Sequence, residues 1–172
     1  MNEQIINEFN LKTYWLNIVL PVAFLIILLI SGPDPLYALK GFIFSVIMLY
    51  AANSDIETME VPDSVHVMIL ITALIGVAKE NILSMLLGFV LIPLPLFVAA
   101  VIKQNSIGGA DIKLMAASAF LLGFEKALVA LIIGSVLAVI CTCLVRNIKN
   151  QSSKTVFPLV PYLGIGCFIA YL

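Results

Sequence analysis

The chain is poor in charge. Of 172 residues, 9 are Lys or Arg and 10 are Asp or Glu, 11% together, for a formal net charge of −1. A soluble domain carries about 25% charged residues, so this chain cannot cover a water-facing surface. The same scarcity excludes a nucleic-acid binder with a basic face and a disordered tail. Histidine is almost absent, His66 being the only one, and the 3 cysteines do not make up for it. Cys141 and Cys143 lie two apart on a predicted helix and so face different directions, while Cys167 lies in the last apolar run. Without a C-x-x-C pair there is no credible set of four zinc ligands. The cysteines read as small apolar residues within helices, and neither a metal nor a cofactor is expected.

What the chain has in quantity is apolar residues, 62% of it, with a mean hydropathy of +1.15. Lipid is therefore the expected solvent. The few charges separate uncharged runs at 14–33, 41–54, 64–78, 81–102, 114–124, 127–145 and 155–172. A helix needs about 20 mostly apolar residues to cross the hydrocarbon. Four runs reach or nearly reach that length, and 64–78 reaches it by taking in its flanks, with Lys79 snorkelling outward. The other two are too short as they stand. The run 41–54 spans only if its helix extends from about Leu36 to Asp55 and carries Lys40, and 114–124 only with Asp111 and Lys113 in its first turns. Both must absorb an aspartate, and an ionisable residue at membrane depth is a functional-site hypothesis by default.

The expected architecture is one all-α, polytopic integral membrane domain covering 1–172, a bundle of about seven transmembrane helices, six at the least, with short connections. Glu3, Glu8 and Lys12 match a cleaved signal peptide poorly, so the first span is expected to be retained. Lys12, Lys103, Lys113, Arg146, Lys149 and Lys154 fall on one face, and Lys40, Lys79 and Lys126 on the other. The positive-inside rule makes the first face cytoplasmic. It places both aspartates near the cytoplasmic ends of their helices.

Asp111 follows Gly108-Gly109-Ala110, a loop entering a helix, where an aspartate is a natural cap. Asp55 instead closes a span, at the end of the helix dipole that disfavours negative charge. Two carboxylates brought together there cannot both ionise cheaply and would share a proton. That arrangement suits an aspartic protease. It also suits a proton-coupled transporter or accessory subunit, although transporters place acids near the midplane and show internal repeats that are not evident here.

The residues around both aspartates resemble a known family. Asp55-Ile56-Glu57-Thr58-Met59-Glu60-Val61-Pro62-Asp63 is similar to the first catalytic segment of prepilin peptidases, which runs from Asp to Ile/Val-Pro-Asn/Asp. Gly108-Gly109-Ala110-Asp111-Ile112-Lys113 resembles their Gly-x-Gly-Asp-x-Lys motif, and Phe157-Pro158-Leu159-Val160-Pro161-Tyr162 their C-terminal Pro-x-x-Pro element. Ala110 replaces the second glycine, and Glu57 and Met59 stand where the family often carries basic residues. A presenilin-like protease shares the Gly-x-Gly-Asp idea, but the Val-Pro-Asp loop argues for the prepilin side.

The resemblance implies a membrane aspartic endopeptidase that removes the short basic leader of type IV prepilins, secretion pseudopilins or archaellin-like precursors. Asp55 and Asp111 would be its catalytic acids. Pro62, Gly108, Gly109 and Lys113 would support the motifs, although Lys113 also fits a snorkelling interfacial lysine. The partners implied are prepilin-like membrane proteins and the lipid bilayer, not nucleic acid, with the site near the cytoplasmic face of the cell membrane. Longer members insert a zinc-binding, N-methylating region between the first two spans. The short connection here, 31–36, leaves no room for it.

Glu57 and Glu60 make the segment 55–63 acidic and free of cations, which suits attraction of a basic leader or simply a solvated loop. His66, three residues after Asp63, shares a helix side with it and either tunes the acids or makes an interfacial hydrogen bond. Pro93 and Pro95 should kink the fourth span, and Pro158 and Pro161 should start the last helix.

Overall fold

The computed structural model describes residues 18–31, 34–77, 81–102, 107–149 and 157–172. Glu3, Glu8, Lys12, Lys79, Lys103 and Lys154 lie outside these residues, as do the expectations that rest on them. The chain is an all-α membrane bundle. Its helices are α1 (Ile18–Ser31), α2 (Pro35–Thr58), α3 (Asp63–Ala73), α4 (Ile82–Leu91), α5 (Leu94–Ile102), α6 (Gly109–Leu122), α7 (Phe124–Lys149) and α8 (Val160–Tyr171). No strand occurs among the described residues.

The two runs that seemed too short became helices by the route their length required. Pro35 opens α2 with its fixed φ, and the helix carries Lys40 and passes through Asp55 to Thr58. α6 takes both Asp111 and Lys113 into its first turns. Prolines break the fourth span: α4 stops at Leu91 and α5 restarts at Leu94, so Ile82–Ile102 is a 21-residue membrane segment with an interruption beside Pro93. α2 and Phe124–Leu144 of α7 are also long and apolar enough to cross.

The third run departs from expectation. α3 ends at Ala73 after 11 residues, roughly 17 Å of helix against a hydrocarbon core of about 30 Å. The reason lies in a neighbouring helix. Lys40 Nζ reaches across from α2 to the Ala73 carbonyl at 3.0 Å, and the chain then turns through Gly76 at φ 66°. A lysine at a helix C-terminus satisfies an open carbonyl and meets the negative end of the dipole. α8 is likewise short, with 12 residues, and Pro161 sits in its first turn as expected.

Close backbone approach holds the bundle together where glycine allows it. A Cβ on Gly166 of α8 would collide with the Ala130 carbonyl of α7, and one on Gly88 of α4 would lie 2.7 Å from the Ala119 carbonyl of α6. Small residues at such contacts are how membrane helices gain packing that lipid cannot supply. The outer faces of α4 and α5 carry many exposed large apolar side chains, including Leu83, Val90, Val98 and Ile102, which suits a lipid surround.

Contacts gather at two faces at opposite ends of the bundle. One face is locked by Tyr37 and Tyr171, whose rings stack at 4.4 Å and whose hydroxyls donate to each other's backbone carbonyls. Lys126 adds bonds to Tyr37 Oη and to the Tyr171 carbonyl. A cavity of about 700 Å³ opens on that face, lined by Asp34, Lys40, Ser84, Glu125 and Lys126 among others. The aspartates singled out from the sequence lie at the other end.

Candidate active site

Three helix starts and one helix end converge at that other end. α2 brings Asp55 in its last turn, and the helix stops four residues later because Met59 takes the left-handed conformation (φ 57°) and donates its N–H to the Asp55 carbonyl at 3.0 Å. The loop back to α3 is tied down by hydroxyls, with Ser54 Oγ and Thr58 Oγ1 both donating to the Glu60 carbonyl at 2.7 and 3.3 Å. Pro62 then caps α3, whose first residue is Asp63. Val61 is buried while Pro62, Glu57 and Glu60 are exposed at the rim.

Asp55 and Asp111 are both buried, 6% and 9% exposed, and lie within electrostatic reach of each other. They are thus brought together across 56 positions of sequence. Each is fixed by a backbone donor. The Val160 N–H, in the first turn of α8, donates to Asp55 Oδ2 at 2.9 Å. The Gly108 N–H donates to Asp111 Oδ2 at 3.2 Å, so Asp111 caps its own helix and also faces the first acid. Capping and proximity to Asp55 are therefore not alternatives.

The awkward position of Asp55 at the negative end of α2 is relieved by α8. The carboxylate sits against the first turn of another helix, where open N–H groups favour negative charge. This is the part played by Phe157-Pro158-Leu159-Val160-Pro161-Tyr162. Its prolines start the helix, and its backbone meets the acid through the Val160 N–H.

The glycines before Asp111 have different surroundings. A Cβ on Gly108 would lie 3.0 Å from Asp111 Oδ2, so a side chain there would press on the carboxyl, whereas one on Gly109 would meet nothing within 4 Å. Open space beside Gly109 leaves room for another backbone to approach the acid.

Lys113 has a definite partner. Its Nζ donates to Asp63 Oδ1 at 3.0 Å, an exposed pair that joins α6 to α3. The segment 55–63 is therefore not free of cations in space. The compensating charge comes from 50 positions further along the chain, which is why the sequence hid it. The bond and charge of Lys113 hold the Asp63 carboxyl below its usual range. Deeper in, His66 Nε2 lies 3.2 Å from the Ala110 carbonyl. The expected interfacial hydrogen bond of His66 is present, and its partner is the residue preceding Asp111.

Among the described residues, no group of three or more His, Cys, Asp or Glu is placed to hold a metal ion. One group was missed by sequence reasoning, the N–H donor of Val160. The Pro-x-x-Pro signal lay over it, but a backbone donor leaves no mark of its own in a sequence.

A membrane-embedded helical bundle with two buried, facing carboxylates at one end is the class of protein that the fold and site define. A family model described as the type IV leader peptidase family matches residues 42–143, from α2 into α7 and including both aspartates. The chain belongs to the type IV leader peptidase family, and it is a membrane peptidase. Comparison with curated proteins and with solved structures gave no match. α8, which holds Asp55, lies beyond the matched residues.

Proposed function

We propose that this protein is an aspartic endopeptidase that removes the short basic leader of prepilin-like precursors, such as type IV pilins, pseudopilins or archaellin-like subunits, at the cytoplasmic face of the cell membrane. The observation that carries the reading is the pair of buried carboxyls, Asp55 and Asp111, each held by a backbone N–H and each in the other's field. A buried pair of this kind is most cheaply occupied by one proton. The ionised member takes a proton from water while the water oxygen bonds to the scissile carbonyl carbon, and the protonated member gives its proton to the carbonyl oxygen. In the second half the two roles reverse. The acid formed first protonates the leaving nitrogen, the other carboxylate takes a proton from the gem-diol, and the C–N bond breaks. The pair returns to its starting state, and neither a covalent intermediate nor a metal enters the scheme.

The site lies at the end of the bundle, beside exposed Glu57 in the last turn of α2 and Glu60 in the loop that follows. A bond just outside a substrate's own apolar helix is the one such a position reaches. Methylation of the new N-terminus is not proposed, because α1 ends at Ser31 and α2 begins at Pro35.

Co-expression with a prepilin-like protein tests the reading. Asp55→Asn and Asp111→Asn are each expected to leave the leader in place, read as intact precursor mass at normal enzyme level. Leader removal by either variant sinks the two-aspartate mechanism.

A further inference from the structure

The entry to α6 is capped by the bond from the Gly108 N–H to Asp111 Oδ2, but few side chains hold it from outside. Gly108 and Gly109 are exposed and without side chains, and beyond Gly109 there is open space where a Cβ would point. Yet the next two residues, Ala110 and Asp111, must aim a carboxyl at Asp55. The Asp63–Lys113 pair is too exposed to fix that aim, its side chains being 82% and 63% accessible.

His66 is better placed. It lies one turn into α3 with a side chain only 9% exposed, and its Nε2 meets the Ala110 carbonyl at 3.2 Å from 44 residues away. A carbonyl can only accept, so Nε2 carries the hydrogen and donates it. Nδ1 is buried without a hydrogen-bond partner among the described residues, with Asp63 Oδ1 3.7 Å off. One ring nitrogen is thus committed to the peptide that links Ala110 to Asp111. Fixing that peptide plane fixes the direction in which the Asp111 Cα–Cβ bond leaves the backbone.

We propose that His66 is a positioning residue for leader cleavage, holding the Ala110–Asp111 peptide through its Nε2–H···O=C bond so that the Asp111 carboxyl faces Asp55. It acts through the backbone carbonyl of Ala110. The proposal rests on Asp111 being a catalytic acid, as argued above. A carboxyl misplaced by about 1 Å costs about 100-fold in rate while binding is largely retained.

The test uses the full chain in detergent micelles and a synthetic substrate with a basic leader followed by an apolar helix. His66→Leu is expected to lower kcat roughly 10- to 100-fold with KM within about threefold. His66→Gln places an amide N–H at about the reach of Nε2 and is expected to recover kcat to within about threefold of wild type. His66→Asn, one bond shorter, is not. Wild-type kcat in the Leu variant overturns the proposal, as does a Gln variant no better than Asn, or a loss of kcat that only follows the loss of folded protein. Asp111→Asn is run beside them. Cleavage by that variant brings down the reading of the site itself, and this proposal with it. An inactive Asp111→Asn beside a fully active His66→Leu brings down this proposal alone.

Discussion

The support of Asp55 by α8 predicts that a single methyl group far from the acids will impair them. Gly166 faces the Ala130 carbonyl so closely that an added Cβ would collide with it, and the Gly134 nitrogen is 2.9 Å from the same point. Both obstacles are helix backbone, which does not yield as a side-chain tip does, so α8 must move away from α7 by on the order of 1 Å in Gly166→Ala. Overpacking of this kind costs roughly 1–3 kcal/mol, or a melting point lower by about 2–12 °C in a chain of this size. α8 is a 12-residue rod, and Val160 begins it. A shift of about 1 Å along the rod is enough to take the 2.9 Å bond between the Val160 N–H and Asp55 beyond hydrogen-bond range. A hydrogen bond to a charged group is worth about 1.5–3 kcal/mol, which corresponds to about 10- to 100-fold in rate. Gly166→Ala should therefore lose at least about tenfold in leader cleavage per folded molecule, with thermal unfolding in micelles and kcat measured on the same preparation. A variant that melts earlier but cleaves at the wild-type rate refutes the coupling of α8 to Asp55. One with unchanged stability refutes the packing argument itself.

Four further outcomes are expected. Met59 holds a left-handed backbone at φ 57°, which costs a side-chain-bearing residue about 1–2 kcal/mol, so Met59→Gly should raise stability by up to about 1 kcal/mol after the added freedom of the unfolded chain is counted; a lowered melting point refutes this. Lys113→Asp should slow cleavage and Asp63→Lys with Lys113→Asp should restore most of it, because the pair joins α3 to α6; a double variant as slow as the single one removes that role. Since Lys113 holds Asp63 below the usual carboxylate range, the pair persists above the unfolded value of about 3.9 and is lost only as pH falls through the lowered one. Asp63→Asn should therefore leave the shape of the pH–rate profile unchanged between about pH 5 and 8, and a changed shape in that window refutes the assignment. Replacing Glu57 and Glu60 together by Lys should raise KM for a basic leader, most at low salt; unaltered cleavage with unaltered salt dependence excludes steering by these residues.

Charge position carried most of what the sequence could reveal. Runs interrupted by Lys40, Asp55, Asp111 and Lys113 had too few apolar residues to span without them, and the helices of the structure absorb all four. Pro93 and Pro95 also marked the break in the fourth span, between Leu91 and Leu94. The true length of α3 was hidden, because what ends it is Lys40 of another helix at the Ala73 carbonyl. Partners were hidden for the same reason. Lys113 reads as a lone interfacial lysine until Asp63 is brought beside it, and His66 as an ordinary buried histidine until Ala110 is. Local patterns set where helices run; contacts across 40 to 105 residues decide which groups meet, and those depend on packing between helices that all look equally apolar.

The position of Asp55 shows why α8 matters to the chemistry as well as to the packing. A carboxylate in the last turn of α2 faces open carbonyls and the negative end of that helix, which on its own would keep the group protonated or push it toward water. Asp111, in the first turn of α6, has the opposite setting. Left at those two ends, the acids would differ sharply in their readiness to ionise, and a proton would not pass easily between them. Bringing the first turn of α8 onto Asp55 supplies an N–H donor and the positive end of a dipole to the acid that lacked them. Each acid then faces a helix N-terminus, and the negative charge is supported at either position. An acid–base cycle in which the two carboxyls exchange roles needs support at both positions. On the proposed two-aspartate mechanism, the last helix is therefore as much a part of the apparatus as the two helices that carry the aspartates.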